Sequence, residues 1–122
     1  MPKAHKAKSK KAKGTRLEKY VAKELETILG AYGVRATRTP MSGAIDRFKG
    51  DIFTNLPVGI ECKNSERWTP LEWFKQAQRD TSSGNIPMLV MSRNNMKEPK
   101  AMLELNDLIT LMDYAIQGGW FK

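Results

Sequence analysis

Asp51 is followed, after nine residues, by Glu61-Cys62-Lys63, so two carboxylates and an ammonium group fall close together in the chain. Glu61 and Lys63 close the apolar run VGIECK. In an extended strand alternate side chains share a face, so these two project together while Ile60 and Cys62 point the other way. A preceding strand DIFTN, joined through Asn55-Leu56-Pro57, is expected to pair as a hairpin and bring Asp51 to that same face. Hard oxygen ligands of this kind suit Mg²⁺, which takes one or two carboxylates and keeps several waters. Such an ion polarises a phosphate and lowers the pKa of a bound water. A lysine beside it orients that water or stabilises developing charge. The chemistry implied is phosphodiester hydrolysis.

Glu-x-Lys by itself is a weak signal. At ~6 % usage for each residue, a chain this long should hold roughly 0.4 such pairs by chance. A second copy, Glu98-Pro99-Lys100, is present, but its central proline bars it from a central strand. The competing reading of Glu61 and Lys63 is a cross-strand ion pair on a solvated face.

The elements that must position these groups read as follows. GTRLEKYVAKELETILGAYG is an amphipathic helix stopped by Gly30 and Gly33. Leu17, Val21, Leu25, Ile28 and Leu29 fall within a ~120° arc of its wheel. Glu26 points opposite that arc and is expected in solvent, Glu24 lies just off one edge, and Glu18 falls inside the arc. A carboxylate facing a core is costly unless a cation meets it, so Glu18 is either functional or salt-bridged. VRATR is a short strand and TPMSGAIDRFKG a loop. Thr69-Pro70-Leu71-Glu72 has the form of a capping box with proline at the first helical position, and Trp68 and Trp73 occupy the staple positions. That helix should reach about residue 81. PMLVMS is a buried-type strand, and MLEL offers a further short one. Leu108, Leu111, Met112, Ala115 and Ile116 mark a closing helix, with Asn106 as its cap and Gly118 as its stop. The expected fold class is α/β (α+β), a central mixed sheet flanked by helices in the order αβββαβ(β)α.

The 122 residues carry a net charge of +8, unevenly spread. Residues 3–13 hold six lysines and no acid, leaving 15 basic and 13 acidic residues elsewhere. Residues 1–13 therefore read as a disordered basic arm on a nearly neutral body spanning 14–122. No apolar run approaches a membrane span, and the basic start leads into no apolar signal segment. Cys62 is the single cysteine, which fits a reducing, cytoplasmic setting, that of the host if the protein is viral.

Asp51, nine residues, then Glu61-Cys62-Lys63 resembles the PD-(D/E)xK signature of restriction-endonuclease-like nucleases. Further segments are similar to archaeal-type Holliday junction resolvases. KGTRLEKYV (13–21) resembles their opening, where a lysine-glycine pair precedes a helix with an active-site glutamate at the position of Glu18. RTPMSG (38–43) is similar to a loop whose serine, here Ser42, is implicated in catalysis. KQAQR (75–79) resembles a glutamine-alanine pair in their second helix. The resemblance implies a restriction-endonuclease-like fold with Asp51, Glu61 and the Cys62 backbone carbonyl as metal ligands, Glu18 completing the site, and Lys63 activating water. Ser42 would touch the scissile phosphate, and Gln76 would support a ligand. The implied cofactor is Mg²⁺, with Mn²⁺ as an alternative, and no small-molecule cofactor or membrane enters. Gly50 departs from the signature by replacing its proline, and LNDLITLMDYAIQGGWFK departs from the family's ending.

On this reading the protein is a metal-dependent endodeoxyribonuclease that resolves four-way junctions by paired nicks. A homodimer would match the two-fold symmetry of that substrate. Arg16, Arg38, Arg47, Lys49 and the arm lysines Lys8, Lys10, Lys11 and Lys13 would hold phosphates without reading sequence. Two alternatives stand beside it. One is a nicking, flap or restriction-type nuclease on the same fold; the other is a non-catalytic basic nucleic-acid-binding protein. Trp120 and Phe121 belong either to a dimer patch or to the protein's own core.

Overall fold

A computed structural model describes residues 2–39 and 50–121. Its elements are α1 (Pro2–Leu29), a 3₁₀ turn (Gly30–Tyr32), β1 (Ala36–Arg38), β2 (Ile52–Thr54), β3 (Val58–Asn64), α2 (Pro70–Asp80), β4 (Ile86–Ser92), β5 (Lys100–Met102) and α3 (Leu105–Gln117). This is the α+β order expected, with mixed sheet flanked by helices. Among the described residues no helix is long and apolar enough to cross a membrane.

Helix α1 is rich in alanine, lysine, leucine and glutamate, all good helix formers. It begins at Pro2 and runs through the lysine-rich stretch. Gly33, at φ 89°, ends the following turn with its N–H on the Gly30 carbonyl at 2.9 Å. The buried side of α1 is rotated from the expected arc. Ala22 is buried and Ile28 is 64 % exposed, which moves the centre of the buried face toward Glu18. Glu26 is exposed but not merely solvated, since its Oε2 accepts the Ala36 N–H at 2.8 Å.

The expected β2–β3 hairpin does not form. β2 pairs with β1, antiparallel, matching Arg38 to Ile52. β3 pairs with β4, parallel, matching Glu61 to Leu89, and β4 pairs with β5, antiparallel. The parallel pair requires a crossover, and α2 supplies it. The two- and three-stranded pieces meet beside Asp51, whose N–H donates to the Ile60 carbonyl at 2.8 Å.

Alternation along β3 and β4 divides the core in two. Ile60 and Cys62 pack with Leu17, Ala22, Ala36 and Ile52 on the α1 side. Leu89 and Met91 pack with Phe74 and Ala77 on the α2 side, where Trp68 and Trp73 also lie. Leu89 is fully buried, worth about 1.5–3 kcal/mol relative to exposure. α2 starts at Pro70 as expected, but the Thr69 side chain makes no capping bond, while Trp68 and Trp73 pack against the core on the α2 side. α3 starts at Leu105, so Asn106 is helical rather than the cap, and Gly118 does end it. Trp120 and Phe121 are exposed and do not fold back onto the core.

Candidate active site

The outer edge of β3 carries the site. β3 has β4 on one side only. Within a strand the N–H and C=O of one residue point to the same edge, and successive residues alternate. Ile60 and Cys62 therefore turn their backbone groups outward, away from β4. Asp51 sits on that edge. Its N–H bonds Ile60, its Oδ2 accepts the Cys62 N–H at 2.7 Å, and its carbonyl accepts the Thr39 N–H at 2.9 Å. The same alternation puts the Cys62 carbonyl along the edge that Asp51 occupies. So the sequence expectation that Asp51 comes beside the Glu61 segment holds in space, through two hydrogen bonds rather than a hairpin.

Gly50 makes this approach possible. Its φ is 94°, and a Cβ there would stand 3.2 Å from the Ile60 carbonyl oxygen. Proline, fixed near φ ≈ −65°, cannot adopt that conformation. Glycine in place of the signature's proline is thus a backbone requirement of this turn.

Glu61 projects to the other side of the sheet, toward α2, and is only 4 % exposed. Gln76 Nε2 donates to Glu61 Oε2 at 2.8 Å. The second oxygen, Oε1, is buried with no hydrogen-bond partner. Burial, followed by the charges of Asp51 and Asp80, pushes the Glu61 carboxyl up to about 7 against the opposing pull of Lys63. Burial likewise raises Asp51, opposed by the Cys62 amide and assisted by the charge of Glu18. Lys63 is partly buried and lowers both carboxyls. Burial pushes the Cys62 thiol up, so this sulfur is inert packing rather than a nucleophile.

Glu18 lies on the buried face of α1, and Arg38 Nε donates to its Oε1 at 2.9 Å. An arginine thus meets Glu18, as the salt-bridged reading expects, and the charge of Glu18 adds to the upward push on Asp51 and Glu61. Arg38 reaches that carboxylate through its Nε. Ser42, Arg47 and Lys49 lie outside the described residues, as do the side chains of Lys8, Lys10 and Lys11.

Lys13 and Arg16 line a groove with Arg93 and Lys97. Among the described residues no acidic side chain lines it, and it reaches Asn64 at the end of β3, next to Lys63. Arg93 is steadied over the Trp68 ring at 5.7 Å. Arg93, Lys97 and Asp80 were missed from sequence. The signal for Arg93 was its place just after PMLVMS, because the carboxyl ends of parallel strands open on one crevice. Asp80 stands four residues after Gln76, hence on the same side of α2.

A buried carboxylate with an orphaned oxygen beside a second carboxylate fits a hard divalent cation, which would satisfy Oε1 and offset the repulsion between the pair. Among the described residues no three His, Cys, Asp or Glu side chains form a closed cage.

Compared with known proteins, residues 9–117 match the family model described as "Phage putative PDDEXK endonuclease". The match supports the PD-(D/E)xK superfamily and gives no support to the narrower likeness to archaeal-type junction resolvases. No curated protein and no solved structure matches the chain.

Proposed function

Because the chain belongs to this family of phage PDDEXK endonucleases, we propose that it is a divalent-metal-dependent endodeoxyribonuclease whose site is the Asp51–Glu61 edge of β3. The observation that carries the reading is the buried Glu61 carboxylate, with one oxygen held by Gln76 and the other unpartnered. Asp51, Glu61 and the Cys62 carbonyl would hold Mg²⁺, which when bound polarises the scissile phosphate and acidifies a water. Gln76 orients Glu61, and the Cys62 amide orients Asp51. Lys63, one turn of the pleat beyond Glu61, positions the attacking water and stabilises negative charge on the phosphate. Glu18 holds Arg38 at the rim and adds negative potential to the site. Ser42 is proposed to contact the scissile phosphate from its loop. Lys13, Arg16, Arg93 and Lys97 would track the strand backbone through their groove, which calls for salt-sensitive binding.

Four-way junctions are the substrate we put first, supported by the sequence likeness at Glu18, Ser42 and Gln76. Linear duplex and flap DNA are the competitors. The test compares wild type with Asp51→Asn on all three substrates, in Mg²⁺ and then in EDTA. Paired nicks on the junction alone, lost with EDTA and with the substitution, would support the full reading. Cutting of duplex or flap equally well would keep the nuclease and discard the junction. Binding without cutting in either Mg²⁺ or Mn²⁺ would overturn the enzyme assignment.

A further inference from the structure

One face of α3 takes no part in this chemistry. None of the helix's residues is buried, and it packs only thinly on the other elements. Leu105, Leu108, Ile109, Met112 and Ile116 are 68, 39, 50, 38 and 42 % exposed. Leu105, Ile109, Met112 and Ile116 are spaced by four, three and four residues. That is the seam spacing of a coiled coil, with isoleucine at both a positions and leucine or methionine at d, the choice that favours two strands. Just beyond Gly118, Trp120 and Phe121 are also exposed, with ring centroids 6.4 Å apart.

Charge argues against DNA as the occupant. α3 carries Asp107 and Asp113 and no lysine or arginine, so a phosphate backbone would be repelled. Area argues for a protein. Taking ~200 Å² for each large side chain, the exposed fractions of these seven residues leave roughly 700 Å² of apolar surface. A monomer's largest patch is typically about 300–600 Å², whereas a standard interface takes about 800 Å² from each partner.

We propose that the occupant is a second copy of this chain, and that two α3 helices pair about a two-fold axis through Leu105, Ile109, Met112 and Ile116. An isologous contact of this kind lets one apolar stripe cover itself. Thirteen residues are too few for a free-standing coiled coil, so Trp120 and Phe121 join the interface. The chain reaches α3 from β5, the strand at the opposite end of the sheet from β3. Pairing there leaves the Asp51 edge of both copies open.

The test reads mass, not activity, and is run in EDTA, so its failure leaves the nuclease reading standing. Sedimentation equilibrium of the full chain at micromolar concentrations should give twice the chain mass. Ile109→Asp with Met112→Asp should give the single-chain mass, with far-UV circular dichroism unchanged because both positions face outward. A second pair of variants keeps the proposal testable if that double variant misfolds. Met112→Cys should cross-link to its symmetry mate under mild oxidation, and Thr110→Cys, on the opposite side of the helix, should not. A monomeric wild type at ~100 µM, a folded double variant that stays dimeric, or equal cross-linking at both positions would each overturn it.

Discussion

Replacing Glu61 by glutamine should stabilise the metal-free protein while destroying its activity. The folded Glu61 carboxyl titrates at about 7 instead of 4.5, chiefly because it is buried and then because Asp51 lies close. Between those values the folded chain holds a proton that the unfolded chain has lost, so stability falls as pH rises and the whole loss is present above pH 7. The separation corresponds to about 3 kcal/mol. In Glu61→Gln the charge is gone, and the bond from Gln76 can still be accepted. The new amide nitrogen, however, takes the place of the orphaned Oε1, at a cost of about 1 kcal/mol. The net expectation in EDTA at pH 8 is a gain of about 2 kcal/mol, or on the order of 5–10 °C in Tm for a chain of this size. At pH 4.5 the gain should vanish or change sign. Saturating Mg²⁺ should raise the wild-type Tm by mass action and leave the variant unmoved, and cleavage should survive only in the wild type. The assay is thermal melting of both proteins across pH 4.5–8, with EDTA and with Mg²⁺. Coincident wild-type and variant curves at every pH would refute the reasoning, since Glu61 would then carry no buried-charge penalty for a metal to relieve.

Three further outcomes are expected. Gln76→Leu, which removes the donor to Glu61 Oε2, should weaken apparent Mg²⁺ affinity by roughly 10–100-fold, read from a metal titration of the nicking rate. Gly59→Ala would place a Cβ 2.8 Å from Thr81 Cβ, so urea unfolding should show a loss of about 1–3 kcal/mol, largely recovered in the double variant with Thr81→Gly. Gly50→Ala must take φ 94° with its Cβ against the Ile60 carbonyl. It should cost about 1–2 kcal/mol and, by shifting Asp51, lower the cleavage rate by up to about 100-fold.

Much of the fold could be read from the chain because its signals are local. Helix formers, the Pro70 start of α2, the glycine stops and the strand alternation of VGIECK each depend on a few neighbouring residues, and the element order follows from them. The spacing of Asp51, Glu61 and Lys63 likewise pointed to a nuclease, the coarse class that the family match supports. Partner choice was not local. DIFTN carries the same pattern whether it pairs forward with β3 or backward with β1, and only the packing of α1 under β1 and β3 selects the second. The wheel showed that Glu18 needed a cation but could not say that Arg38, twenty residues away, supplies it. Alternation put Glu61 and Lys63 on one face without showing that α2 would set Gln76 on a buried Glu61 and bring the charge of Asp80 near it. In α3 the apolar stripe was plain, yet its exposure was not, because a hydrophobic pattern records that a face is to be covered and not by which chain. Local chemistry was therefore determined by sequence, and every contact between elements distant along the chain was decided only when the tertiary structure closed.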